Sequence, residues 1–87
     1  MVGQKILMFY VYIIQSKKDA GYYVGITSNI EQRLVYHNKG KVQSTKSRVP
    51  FELIHQESFQ TRIEAREREK YLKSYGGVKE KYKLVGK

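Results

Sequence analysis

Apolar and polar positions along the chain divide it into segments of different period. From Ile6 to Ile14 the residues ILMFYVYII are continuously apolar or aromatic and rich in β-branched side chains, which reads as a buried strand. A turn-rich QSKKDAG follows, and then a second apolar run, YYVGI, so the two runs form a β-hairpin. At SNIE the pattern becomes helical: Ser28 can cap the first amide groups while Glu31, three residues on, reaches back in a capping box. This helix is predicted to run to about Asn38 and to end at Gly40, which supplies the left-handed backbone common at helix C-termini. KGKVQSTKSRVP then reads as a polar, basic, exposed loop closed by the only proline.

Beyond the proline, FELIHQESF (Phe51–Phe59) is expected to be a third strand. Its apolar positions do not alternate strictly, and period alone leaves a short helix open. Thr61 and Glu64 repeat the capping-box spacing, so TRIEAREREKYLKSY is predicted to be a helix, terminated by Gly76 and Gly77. The tail VKEKYKLVGK is predicted to be a short last helix that docks Val78, Tyr82 and Leu84 on the body. The expected fold class is α+β, a three-stranded, mainly antiparallel sheet flanked by helices in the order β-hairpin, helix, strand, helix, short C-terminal helix.

Composition narrows the function. A chain of 87 residues fits one domain, residues 1–87, around a single modest core. Without cysteine it has neither disulfides nor thiolate metal ligands, and a reducing cytoplasm is the simplest location. The longest apolar run is too short to cross a bilayer, so no membrane association is expected. Lysine and arginine total 17 against 8 acidic residues, a net charge of +9 that concentrates polyanions around so small a body. Nucleic acid is therefore the leading partner.

Polar residues can now be placed on these elements. Tyr10 and Tyr12 share one face of the first strand, and Tyr12 and Tyr23 can lie side by side across the hairpin if the register permits. Arg33 and His37, four residues apart, sit on one side of the first helix beside Ile30 and Leu34. Ala65, Glu69 and Leu72 share a face of the later helix, which turns Glu69 partly toward the body. Each residue also has a plain structural reading: strand tyrosines with solvated hydroxyls, a surface arginine, an edge histidine, and a glutamate pairing with Lys73 at i, i+4 for about 0.3–0.5 kcal/mol. The basic run from Arg62 to Lys73 reads first as a solvated helix face, and Gly25 as a point of close approach.

Taken together, the spacing resembles a known family. YVY at Tyr10–Tyr12, followed by YVG at Tyr23–Gly25, resembles the paired signature of the GIY-YIG endonucleases. Arg33, His37 and a glutamate in EAREREKYLK extend the match over nearly the whole chain. It is most similar to small stand-alone members and, at longer range, to the nuclease half of the bacterial excision-repair incision subunit. The resemblance implies a phosphodiesterase site with one divalent cation, Mg²⁺ or Mn²⁺, held by Glu69. Glu69 is preferred over Glu64 and Glu67 because Leu72 and Lys73 follow it at the family's offsets, and Glu67 is the second choice. The resemblance further implies Tyr12 as general base or its relay, Tyr23 as its partner, Arg33 as a clamp on the scissile phosphate, and His37 as a proton-transfer or phosphate-binding group.

These residue types suit the chemistry. Water attack on a phosphodiester builds charge on non-bridging oxygens, which an arginine fork and a hard cation offset. A lone glutamate suits Mg²⁺, which keeps much of its hydration shell. A tyrosine, with an ordinary pKa of about 10, needs nearby positive charge to act as a base. Two departures from the family pattern stand out: Tyr10 replaces the glycine that opens its first motif, and the tail after Gly77 lacks its late asparagine, leaving Asn38 or a backbone group as substitute. The expected function is a metal-dependent DNA endonuclease or nickase of low sequence specificity, with Lys39, Lys41, Lys46 and Arg48 touching the flanking backbone. DNA is preferred to RNA through the family alone. The alternative is a non-catalytic nucleic-acid-binding module that retains the phosphate pocket.

Overall fold

The computed structural model describes residues 7–86. Strand β1 (Phe9–Ser16) lies at the centre of a three-stranded antiparallel sheet, with β2 (Tyr22–Thr27) on one side and β3 (Phe51–Phe59) on the other. Helix α1 (Ile30–Asn38) follows the hairpin, α2 (Arg62–Lys73) follows β3, and α3 (Val78–Leu84) closes the described chain, with short 3-10 turns at Lys46–Arg48 and Tyr75–Gly77. The expected α+β architecture is therefore present. The first strand begins at Phe9, later than the apolar run suggested: Leu7 is described but exposed, and Ile6 lies outside the described residues.

Pairing between β1 and β3 slips between Ile13, opposite His55, and Ile14, opposite Leu53, so Ile54 is an extra residue on β3. A bulge of this kind moves successive residues from one sheet face to the other. It explains why FELIHQESF does not alternate: Phe51 and Leu53 face one side, His55, Glu57 and Phe59 the other.

The two faces carry separate cores. Val11, Ile13 and Val24 pack against Ala65 and Leu72 of α2, joined by Leu84 and Val85. Tyr12, Ile14 and Phe51 pack against Ile30 and Leu34 of α1. Full burial of a side chain such as Leu72 contributes about 1.5–3 kcal/mol. Leu84 docks as expected, but Tyr82 does not: it is 46% exposed, and the tail is held instead by Arg68, which donates to Glu57 on β3 and to Glu80 on α3.

Helix ends differ from expectation in two places. The N-cap of α1 is Asn29, whose side chain accepts from the Gln32 amide at 3.0 Å, and not Ser28. Thr27 sets this frame one residue later, because its Oγ1 accepts from the Asn29 amide at 3.1 Å. Helix α2 starts at Thr61 as predicted, with Thr61 Oγ1 accepting from the Glu64 amide, but it ends at Ser74 ahead of the glycines. There the Ser74 hydroxyl donates to Tyr71 O at 2.6 Å, and Gly76 and Gly77 only continue the 3-10 turn. Gly40 has φ +73, the left-handed conformation expected after α1.

Candidate active site

The site is built first on the sheet. Tyr12 lies opposite Gly25 and Ile14 opposite Tyr23, so both phenols project from the α1 side as diagonal neighbours, with ring centroids 6.3 Å apart. Tyr12 is almost fully buried and its ring folds over Gly25, where any Cβ would collide with the ring and hydroxyl. Gly25 is thus a glycine because a catalytic candidate lies on top of it.

Helix α1 supplies the next layer. His37, completely buried, approaches Tyr12 with Nε2 2.8 Å from the hydroxyl, and its Nδ1 lies 2.8 Å from Thr45 Oγ1. Thr45 Oγ1 reaches Val42 O at 3.5 Å; donating there, it accepts the Nδ1 proton of His37. Nε2 then carries the lone pair, and the Tyr12 hydroxyl donates to it. Burial, helped by the positive charge of Arg33, lowers the His37 pKa to about 4, so the imidazole is neutral at neutral pH. Burial raises the Tyr12 pKa above its ordinary value, and Arg33 opposes that rise while Tyr23 and Glu69 add to it. The phenol keeps its proton, and a neutral base sits ready to take it.

Arg33 lies one turn before His37. Its Nε is buried and, among the described residues, is the buried side-chain polar atom without a hydrogen-bond partner. A buried guanidinium nitrogen left unpaired carries a desolvation penalty of about 1–3 kcal/mol or more, which an incoming anion would relieve. A small cavity of about 160 Å³, lined by Thr27, Gln32, Arg33 and Tyr36, opens beside it.

Glu69 reaches the site from the other layer. Helix α2 packs on the opposite face of the sheet, but β2 is an edge strand, and the end of α2 overhangs it. The Lys73 ammonium lies 3.1 Å from Glu69 Oε2 and 5.7 Å from the centroid of the Tyr23 ring, and the Glu69 charge acts on Tyr12. Glu67, the other candidate, is exposed and exerts no such effect on Tyr12. Among the described residues no group of three or more His, Cys, Asp or Glu could hold a metal. A single partly buried carboxylate nevertheless fits Mg²⁺ or Mn²⁺, whose remaining positions water and phosphate oxygens can fill, with Lys73 as the competing cation.

The loop after α1 is less open than its composition suggests, because Thr45 is fully buried beneath His37. Lys39, Lys41 and Lys46 are exposed, as a phosphate contact requires. Arg48 is not available for one: its guanidinium donates to both Asp19 oxygens, at 2.8 and 3.3 Å, and lies over Phe51. That pairing holds the Asp19 carboxyl down at about 2. Asn38 is also committed, since its side chain pairs with the backbone N–H and C=O of Phe51, so it does not stand in for the family's late asparagine.

Some groups escaped sequence reasoning. Thr45 orients His37 from eight residues away, and nothing in its neighbourhood marks it. Arg62, Arg66, Lys70 and Lys73 line a cleft of about 400 Å³ that also contains Glu69. Their near-regular spacing along α2 was visible, but the same spacing describes a solvated helix face.

Comparison with known proteins decides the lineage. Residues 8–83 match the model of the GIY-YIG catalytic domain. The chain belongs to the GIY-YIG family. A UPF0213 protein of Staphylococcus saprophyticus is 40% identical over 77 residues, covering 87% of this chain and 92% of that protein. A UPF0213 protein of Haloquadratum walsbyi is 42% identical over 67 residues, covering 76% and 74%. The solution structure of a UPF0213 protein from Bacillus halodurans matches with a TM-score of 0.55 and 31% identity, over 92% of this chain and 87% of that one. GIY-YIG domains are nuclease domains, so the family implies nuclease activity in general and a nucleic acid as substrate. No described helix is long and apolar enough to cross a membrane.

Proposed function

We propose that this GIY-YIG chain is a single-domain, divalent-metal-dependent endonuclease or nickase that hydrolyses phosphodiester bonds in DNA with little sequence preference. The observation that carries this reading is the buried, unpartnered Arg33 Nε beside the Tyr12 hydroxyl. A phosphate oxygen is the acceptor it lacks. With the phosphate held there, a water attacking phosphorus passes its proton to the Tyr12 oxygen while the Tyr12 hydroxyl proton moves to His37 Nε2. Tyr12 is then a relay and His37 the terminal base, which removes the need for an ionised phenol. Tyr23 packs both rings in place, with centroids 6.3 Å from Tyr12 and 5.1 Å from His37.

Glu69 would hold the cation, which supplies Lewis-acid stabilisation of the phosphorane charge. Lys39, Lys41 and Lys46 on one side, and Arg62, Arg66 and Lys70 on the other, would meet the flanking backbone. A cysteine-free chain of this kind fits a reducing compartment such as the cytoplasm.

The Glu69–Lys73 pair favours a second reading, a binding module without turnover, because Lys73 already neutralises the carboxylate. Nicking of supercoiled DNA in Mg²⁺ or Mn²⁺ separates the two. Wild type is expected to nick, and Tyr12→Phe, Arg33→Ala and Glu69→Ala to fail while still binding DNA. Salt-dependent binding by wild type without any metal-stimulated nicking would leave the binding module alone.

A further inference from the structure

The α1 face holds a second cleft that phosphate chemistry does not use. It has a volume of about 490 Å³, within the range of ligand pockets, and lies between the start of α1 and strands β1 and β3. Tyr10 forms an aromatic wall, Ile30 and Leu53 add apolar surface, and Ser28, Glu31 and Gln56 bring polar groups to the rim. No lysine or arginine lines it, in a chain of net charge +9. Glu31 would repel a phosphate, whereas a carboxylate and a side-chain amide are groups that pair with base edges.

Its position relative to Tyr12 is fixed by the sheet. Tyr10 is two residues before Tyr12 on the same face, a displacement of about 7 Å along a strand, about one nucleotide's stride. Gln56 lies directly opposite Tyr12 on β3, and Ile30 packs against the same apolar cluster as Tyr12. A strand whose phosphate sits at Arg33 and Tyr12 therefore carries its neighbouring nucleotide to this cleft.

We infer that the cleft is a nucleobase subsite: the base beside the scissile phosphate leaves its stack, packs on Tyr10 and presents its polar edge to Gln56 and Glu31. This rests on the nuclease reading for the location of the phosphate, but it concerns binding and can be tested without cleavage. A base can enter only if it is unpaired, so the subsite favours strands whose nucleotide at that position is free of a duplex.

The test uses short single-stranded DNA oligonucleotides in EDTA, each with one abasic position, scanned along the sequence by fluorescence anisotropy, and one carrying 2-aminopurine at the sensitive position. Wild type is expected to show one position at which removing the base weakens binding about tenfold or more. Tyr10→Ala should bind the intact strand that much more weakly and lose sensitivity to the lesion, while Tyr10→Phe keeps both affinity and the 2-aminopurine signal. Gln56→Ala, at an exposed position that cannot unfold the sheet core, should alter the preference among bases at that position alone.

A flat abasic scan in wild type, or a lesion effect undiminished in Tyr10→Ala, overturns the subsite even where metal-dependent nicking is found. Base-dependent binding without nicking supports the subsite and overturns the nuclease reading. Failure of wild type to bind any strand overturns both.

Discussion

The two faces of the sheet are buried to a similar degree and built for different ends. Under α2 the contacts are aliphatic, Val11, Ile13 and Val24 against Ala65 and Leu72, and the polar groups at the margin are matched: Arg68 is satisfied by Glu57 and Glu80. Under α1 the buried set includes a phenol, an imidazole and a threonine hydroxyl in one chain of hydrogen bonds, and it ends at a guanidinium nitrogen with no acceptor. Folding alone would not leave such a group unpaired. The first face stabilises the chain, and the second uses part of that stability to hold groups in a strained electrostatic arrangement suited to an anion.

This contrast can be broken by substitution, starting with the largest effect. Leu72→Ala, in the aliphatic layer, is expected to lower unfolding free energy by about 2–5 kcal/mol, read by urea denaturation, without changing which residues act at the site. Arg33→Ala should do the opposite. Nicking falls by about 100–1000-fold, the range seen when one charge-stabilising donor is lost, while thermal stability stays level or rises because an unsatisfied buried group is gone. A large loss of stability in Arg33→Ala would show that both faces serve folding alike.

Acid sharpens the comparison. Folded His37 titrates at about 4, whereas unfolded it titrates near its ordinary value of 6.5. Between those values the unfolded chain binds more protons, so the stability from a neutral His37 is complete above about pH 6.5 and is lost as pH falls toward 4, roughly 3 kcal/mol in all. Glu57 and Asp19, whose pKa values are lowered by their arginine partners, lose stability in the same direction, but only near and below their ordinary values of 4.5 and 3.8. Denaturation between about pH 7 and pH 5 therefore reports the α1 face, and His37→Phe should flatten it.

The smallest effect belongs to the surface. Lys41→Ala is expected to leave melting temperature unchanged and to lower the slope of log affinity against log salt by about one, measured by titration of a DNA duplex.

How much of this was legible in sequence follows from the range over which each feature is decided. The hairpin, the Thr61 cap, the left-handed Gly40 and the α+β order are set by neighbours within a few residues. So is the family signature, because Tyr12, Tyr23, Arg33 and His37 hold fixed offsets on successive elements. The bulge at Ile54 was legible only as a broken alternation, and the Asn29 cap differed from Ser28 because Thr27 shifted the turn by one residue. Arg48 looked like a phosphate contact because Asp19, twenty-nine residues earlier, is invisible as its partner until the hairpin turn meets the loop.

The chain's local patterns by themselves determined the elements, their order, the strong positive charge and the residue types that serve phosphodiester chemistry. Only packing decided that Glu69 reaches round the edge strand, that Thr45 fixes the tautomer of His37, that Arg33 is left without an acceptor, and that Tyr10 walls a cleft of its own. Hydrogen bonds and desolvation depend on which distant groups share a volume, and that is set when two layers close on a sheet, not by spacing along the chain.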